Sequence, residues 1–285
     1  MNIMKRTALI LISLLTIFFS LISDRAIAAG PLRFGLYPYL SATKLVKKFS
    51  PLVDYLSREM GHPVELELAK SYQEHIRRMG KEDIDIAFMG PISYLQMTEQ
   101  FGAKPILACL EIDGKATYHG VIAVKKGDLL HDLTSLKGKK FAFGAIDSTM
   151  GYYVALYMMK QAGLNVASLG SYESIENQEN IALGVLTGDF DAGAMRESMF
   201  KVYEKEGLRA LAISDPMPEH LFVAANRLGS EKAARLSKAL QALKSSDKGK
   251  AILNALQGNL TGLVPATDQD YQGLRAIYRA VEDHE

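Results

Sequence analysis

Two hydroxyl side chains and two glycines crowd into Gly144-Ala-Ile-Asp-Ser-Thr-Met-Gly151. The run lies between a short strand-like stretch, Lys140-Phe-Ala-Phe-Gly144, and a helix expected over 149–162 that is apolar almost all round. Ser148 and Thr149 are residue types that cap helix N-termini, and Gly151 permits close backbone approach. Unpaired N–H groups at such a helix start carry partial positive charge and suit an oxyanion. The same residues also fit a plainer role in which Ser148 only caps its helix. A second turn, Phe88-Met-Gly-Pro-Ile-Ser-Tyr94, follows an expected strand at 84–89. There Gly90 and Pro91 leave N–H groups at the strand end and Ser93 can donate; an ordinary Gly-Pro turn is the alternative. Tyr37, Tyr39, Tyr72, Tyr94 and Tyr118 all fall at expected strand ends or helix starts. A phenol there donates a hydrogen bond without bringing charge, and its ring supplies an apolar wall.

Catalytic sets are missing from the same survey. The chain has no G-x-S-x-G, no glycine-rich nucleotide fingerprint and no P-loop. His62, His75, His119, His131, His220 and His284 have no metal-ligand spacing with one another, and Asp83 and Asp85 fit a solvated strand edge. No catalytic residue, metal or cofactor is therefore expected. Cys109 is the single cysteine, so no intrachain disulfide can form, and its apolar run Pro105-Ile-Leu-Ala-Cys-Leu110 suits a buried small hydrophobe.

Ligands of open α/β sheets bind beyond the carboxyl ends of strands, so the elements that aim these turns come next. Leu32-Arg-Phe-Gly-Leu-Tyr37 reads as a strand closed by Pro38, and an amphipathic helix is expected over 42–60, ended by Gly61 and kinked or broken at Pro51. Pro63-Val-Glu-Leu-Glu-Leu68 alternates as a strand, followed by a helix at 72–79, the strand at 84–89 and the helix after Gly90-Pro91. A second series starts with Val121-Ile-Ala-Val124 and the polar stretch 125–139. It continues through the Lys140-Phe-Ala-Phe-Gly144 strand and its helix, a strand at 168–171, a helix at 179–186, and strands at 190–195, 208–213 and 221–225. From Gly229 onward the chain reads as nearly all helical. Strand and helix alternating at this spacing predict an α/β fold of two Rossmann-like lobes with parallel-rich sheets. Crossings near 119–123 and 222–226 would form a two-segment hinge able to close around a ligand. Residues 29–120 with 226–285 are assigned to lobe 1, and 121–225 to lobe 2.

The first thirty residues bear on compartment. Lys5 and Arg6 precede a run from Leu9 to Ile22 that is apolar except for Ser13, Thr16 and Ser20, and Ala26-Ile-Ala28 follows as a small-x-small cleavage signal. That is the layout of a secretory signal peptide over 1–28, and no cysteine stands at the cleavage point to carry lipid. Its removal takes away Lys5, Arg6, Arg25 and Asp24, leaving 30 basic against 31 acidic residues from the original 33 and 32. A net charge of −1 without a basic run gives no electrostatic case for nucleic acid or an anionic membrane. The expected product is a periplasmic protein.

Several ordered segments resemble one family, the periplasmic phosphonate-, phosphite- and phosphate-binding proteins of ABC importers, which have the type II periplasmic binding protein fold. They are Phe34-Gly-Leu-Tyr-Pro38, Pro51-Leu-Val-Asp-Tyr-Leu56, Asp85-Ile-Ala-Phe-Met-Gly-Pro91 with Tyr94, Leu136-Lys-Gly-Lys-Lys140, Asp147-Ser-Thr-Met-Gly151, and Gly188-Asp-Phe-Asp-Ala-Gly193. The resemblance implies ligand contacts from Tyr72, Tyr118, Ser148 and Thr149 with N–H groups around Gly151, a phosphoryl-oxygen site of neutral donors rather than arginines. Gln178 stands where the family often has a histidine, and Met150 where it has a second serine. Glu197 lies near the place of an acid that holds an aminophosphonate's ammonium, and His220 where another acid is expected. The function implied is capture of a small oxyanion or phosphonate by a monomer that passes it to an ABC permease in the inner membrane. A ligand-sensing protein that signals to a membrane-bound sensor is the alternative on the same fold.

Overall fold

Apolar residues at alternate and at three-to-four-residue spacings make the first βα units. The computed structural model describes residues 30–282; the expected signal peptide at 1–28 and His284 lie outside the described residues. Strand β1 (Leu32–Leu36) buries Phe34 and Leu36 fully. Helix α1 (Ala42–Met60) lays Leu45, Phe49, Leu52, Val53, Leu56 and Met60 along one buried face, and Gly61, at φ 63°, ends it in the left-handed conformation. The break expected at Pro51 does not occur. The missing proline N–H deprives only the carbonyl of Lys47, an exposed residue that water can reach, while buried neighbours on both sides of Pro51 keep the helix continuous.

The chain continues through β2 (Val64–Leu68), α2 (Tyr72–Gly80), β3 (Ile86–Met89), α3 (Pro91–Phe101) and β4 (Ile106–Ile112). Two short strands, β5 (Thr117–Tyr118) and later β11 (Met217–Pro218), pair antiparallel with each other. Between them lie β6 (Gly120–Lys125), β7 (Lys140–Gly144), α4 (Val154–Gln161), β8 (Ser171–Ile175), α5 (Gln178–Thr187), β9 (Ala192–Arg196), α6 (Glu197–Glu204) and β10 (Leu208–Ile213). After β11 come β12 (Leu221–Ala224), α7 (Gly229–Ala242), α8 (Asp247–Leu256), β13 (Leu260–Val264) and α9 (Gln272–Glu282).

Two sheets result, one per lobe. The first has the order β13-β4-β12-β3-β1-β2, the second β10-β6-β9-β7-β8. Strands β1, β2 and β3 run parallel, as do β7, β8 and β9, whereas β12 is antiparallel to both β3 and β4. One face of the first sheet packs on α1, α7 and α8 through a core that includes Phe34, Leu52, Phe222 and Leu236. A second core runs from Met89 and Ile92 to Phe143, Met150 and Tyr153, so apolar packing is continuous from one lobe into the other. The outer face of the second sheet is closed by α5 and α6 through Ile181, Val185 and Phe200.

Three expectations are corrected. The tail beyond Gly229 is not all helix: Leu260-Thr-Gly-Leu-Val264 adds β13 to the edge of β4, a pairing that five residues with a central glycine do not announce by alternation. The strand expected at 168–171 lies instead at Ser171–Ile175, because Asn165 and Ser168 form a capping box that holds 166–168 in a 3₁₀ turn. The second crossing is not at 222–226. Phe222 is fully buried in the first sheet, opposite Phe88 and Ala108, so the chain has returned to that sheet by Leu221 and its passage runs through 214–220.

Candidate functional site

The loop from β7 reaches the cavity through a π-helical turn, Thr149–Tyr153, that precedes α4. Two glycines seat it: a Cβ on Gly151 would stand 2.9 Å from the Gly144 Cα, so only glycine lets the turn lie against the strand end. Ser148 caps the turn, its Oγ accepting from the Gly151 N–H at 3.2 Å, and the Ser148 carbonyl accepts from Tyr152 and Tyr153. The N–H groups of Thr149 and Met150 take no acceptor among the described residues. A wound turn that leaves such donors at its start is a ready anion cradle, and π-turns often occur where backbone is reshaped for a site. The cap does not use up the Ser148 hydroxyl, since an accepting oxygen leaves its proton free to donate.

A cavity of about 330 Å³ opens in front of this turn. Tyr37, Tyr39, Tyr72, Lys48, Gly90 and His220 line it from the first lobe and the adjoining crossing; Tyr118, Ser148, Thr149, Met150, Gln178 and Arg196 line it opposite. Four tyrosines and His220 contribute aromatic walls, backed by Phe88: Tyr37 stacks on Phe88 with ring centroids 6.0 Å apart, and Phe88 on His220 at 5.5 Å. Burial raises the phenols of Tyr37, Tyr72 and Tyr118, so they stay protonated as donors. The lobes also touch directly. Thr149 Oγ1 accepts from the Ile92 N–H at 3.2 Å, and Gln73 Nε2 donates to Asp147 Oδ1 at 2.8 Å.

Of the residues singled out from sequence, Tyr37, Tyr39, Tyr72, Gly90, Tyr118, Ser148, Thr149, Met150, Gln178 and His220 line the cavity. Gln178 faces it from the start of α5, where its Oε1 accepts from the Arg196 N–H. The others lie elsewhere. Tyr94 is fully buried and its hydroxyl donates to Asp268 Oδ1 at 2.9 Å, away from the cavity. Pro91 is the buried first residue of α3, and Gly151 sits behind Ser148 against Gly144. Glu197 borders a neighbouring recess and pairs with Lys201 at 2.9 Å.

The resemblance implied a site of neutral donors; the cavity is lined in addition by two cationic side chains. Arg196, the last residue of β9, brings its guanidinium into the cavity, 5.5 Å from the centre of the Tyr118 ring. Its counter-ion is Glu219, fully buried, with Arg196 Nη2 3.5 Å from Oε1. Burial would raise the Glu219 carboxyl, but hydrogen bonds from His220 and the nearby Arg196 charge hold it below the usual carboxylate range. His220 donates from Nδ1 to Glu219 Oε2 at 2.9 Å, and burial pushes its own pKa down, so the ring is neutral at pH 7. Lys48, over the Tyr39 ring at 5.8 Å, is a second cation at the cavity; burial and Arg196 lower its pKa to about 8. Both had a sequence signal. Arg196 ends a strand one residue later than expected, and Lys48 lies three and four residues from buried Leu45 and Leu52, on the inward face of α1.

Comparison with known proteins agrees with this architecture. The family described as ABC transporter, phosphonate, periplasmic substrate-binding protein matches residues 34–271. The phosphate-import protein PhnD of Mycolicibacterium smegmatis is 26% identical over 268 residues, covering 84% of this chain and 82% of that protein. Among solved structures, PhnD1 of Prochlorococcus marinus in complex with methylphosphonate superposes with a TM-score of 0.77 at 22% identity, over 88% of this chain and 98% of that one. A Xanthomonas citri protein bound to ATP reaches a TM-score of 0.78 at 19% identity, covering 90% of this chain and 99% of that one, so the fold by itself does not set the ligand. On the family match across most of its length, this chain belongs to the periplasmic substrate-binding proteins of phosphonate ABC transporters.

Proposed function

We propose that the interlobe cavity binds a phosphonate, phosphite or phosphate-like oxyanion and that the protein delivers it, unconverted, to an ABC permease in the inner membrane. The observation that carries this reading is the π-helical turn, whose Thr149 and Met150 N–H groups and Ser148 hydroxyl meet the cavity with no acceptor of their own among the described residues. Phosphoryl oxygens accept from these donors and from Tyr118, while Tyr72, Gly90 and Gln178 complete the walls. Glu197, Tyr94, Pro91 and Gly151 act indirectly or not at all in this arrangement. The lobes are 30–112 with 221–282, and 120–213; the paired β5 and β11 segments between them form the hinge. Ligand contacts from both lobes favour the closed form because the open form makes only half of them. Export with removal of residues 1–28 and action as a monomer belong to the same proposal.

Thermal unfolding tests it. A ligand at about 100 times its dissociation constant stabilises by about 2.7 kcal/mol, or roughly 5–10 °C for a chain of this size. A shift of that order with methylphosphonate, phosphite or phosphate is expected. The absence of any shift with all three sinks the proposal.

A further inference from the structure

We infer that the cavity holds a second, cationic subsite, separated from the π-turn by Tyr118 and built for a phosphonate whose other end carries a negative charge. This rests on the proposed phosphonate reading and names the class of tail. The groups at that end are Lys48 from α1, Arg196 from β9, and Glu219 and His220 from the second crossing. Glu219 is the only carboxylate among them, and it is shared between Arg196 and the His220 ring. With His220 neutral, two cations face one anion, leaving one positive charge uncompensated in a largely desolvated space. Buried charge without a partner is costly, and an anionic ligand group removes that cost.

The arrangement of atoms agrees with the charges. Lys48 forms no ion pair among the described residues and rests over Tyr39. The Arg196 Nε is buried without a hydrogen-bond partner, and its Nη2 to Glu219 separation of 3.5 Å is long for a charge-assisted bond. A guanidinium whose counter-ion is this loosely placed can donate to a ligand carboxylate from its terminal nitrogens. Tyr118 links the two subsites: its hydroxyl meets Thr149, and the Arg196 guanidinium lies over its ring. A tail about one phenol ring long therefore spans from the phosphoryl cradle to the cations.

The acids in the cavity do not make an equivalent place for an ammonium. Asp147 and Glu176 lie toward Tyr72; Asp147 is already held by the Gln73 and Gln96 amides, and Glu176 is exposed to water, which weakens its pull. On the far side of Arg196, Glu197 is matched by Lys201.

Calorimetric titration of the full chain with ethylphosphonate, phosphonoacetate and 2-aminoethylphosphonate separates the tails: neutral, anionic and cationic. Phosphonoacetate is expected to bind at least about tenfold more tightly than ethylphosphonate, a difference of about 1.4 kcal/mol. In Lys48→Gln that ratio falls to about twofold, and in Lys48→Glu it inverts. Comparable binding of phosphonoacetate and ethylphosphonate, or a preference for 2-aminoethylphosphonate, overturns the subsite while leaving the phosphonate reading intact. Failure of all three, with methylphosphonate and phosphate also inert, overturns both.

Discussion

Glu219→Gln should make the protein less stable and its grip on anions stronger, two effects of opposite direction from one change. Glu219 is fully buried, accepts from the His220 backbone and ring, and is the counter-ion of Arg196, whose side chain is 22% exposed. Removing one partner of a buried pair costs about 3–5 kcal/mol; the partial exposure of Arg196 and the hydrogen bonds that glutamine can keep reduce this to about 2–3 kcal/mol. For a chain of this length the melting temperature of the ligand-free protein then drops by roughly 4–12 °C. The same change takes a negative charge away from the cavity. At an effective dielectric constant of about 20 and a separation of roughly 8 Å, that charge repels a ligand anion by about 2 kcal/mol, so affinity rises on the order of tenfold. Denaturant unfolding without ligand gives the first quantity and calorimetric titration with methylphosphonate the second. If anion affinity falls, Glu219 serves to orient Arg196 rather than to neutralise it, and the charge balance drawn for this end of the cavity is wrong.

Gly151→Ala would drive a Cβ into the Gly144 backbone, lifting the turn from the strand end; about 1–3 kcal/mol of stability and most ligand binding should be lost together, read by thermal unfolding with and without methylphosphonate. Thr149→Ala removes a hydroxyl that faces the cavity and accepts from the Ile92 N–H, and should weaken methylphosphonate binding about 10- to 100-fold, as loss of a hydrogen bond to a charged group does; unchanged affinity would place the oxyanion elsewhere. His75 is buried with its Nε2 3.0 Å from the Phe88 carbonyl, and burial lowers its pKa from 6.5 to about 4. The unfolded chain therefore takes up this proton first on acidification, so stability is full above about pH 6.5 and falls as the pH drops toward 4, by roughly 3 kcal/mol. Denaturant titrations across that range should lose this component in His75→Phe.

Much of the frame was legible because its signals are local. The alternation in Pro63-Val-Glu-Leu-Glu-Leu68, the glycine after Met60 and the Gly-Pro before α3 each specify an element without reference to the rest of the chain. What escaped depends on partners distant in sequence. β13 exists because β4 offers it an edge, and β12 is a central strand only because β3 and β4 flank it. The site divides in the same way. Ser148, Thr149 and Tyr118 were readable from turn chemistry and strand ends, whereas the joining of Arg196 to Glu219 and Lys48 needed three separate segments to meet. Tyr94 misled because a helix start gives a position but not the direction of the side chain, and its hydroxyl had an acid, Asp268, waiting on the other side.

A crystal structure of the protein with methylphosphonate tests the central claim most directly. Phosphonyl oxygens are predicted at about 2.5–3.2 Å from Ser148 Oγ, Thr149 Oγ1 or the backbone N–H groups of the π-turn, with the methyl group directed toward Arg196. A ligand bound instead in the recess beside Glu197 and Lys201, or at the exposed Glu176, would contradict it.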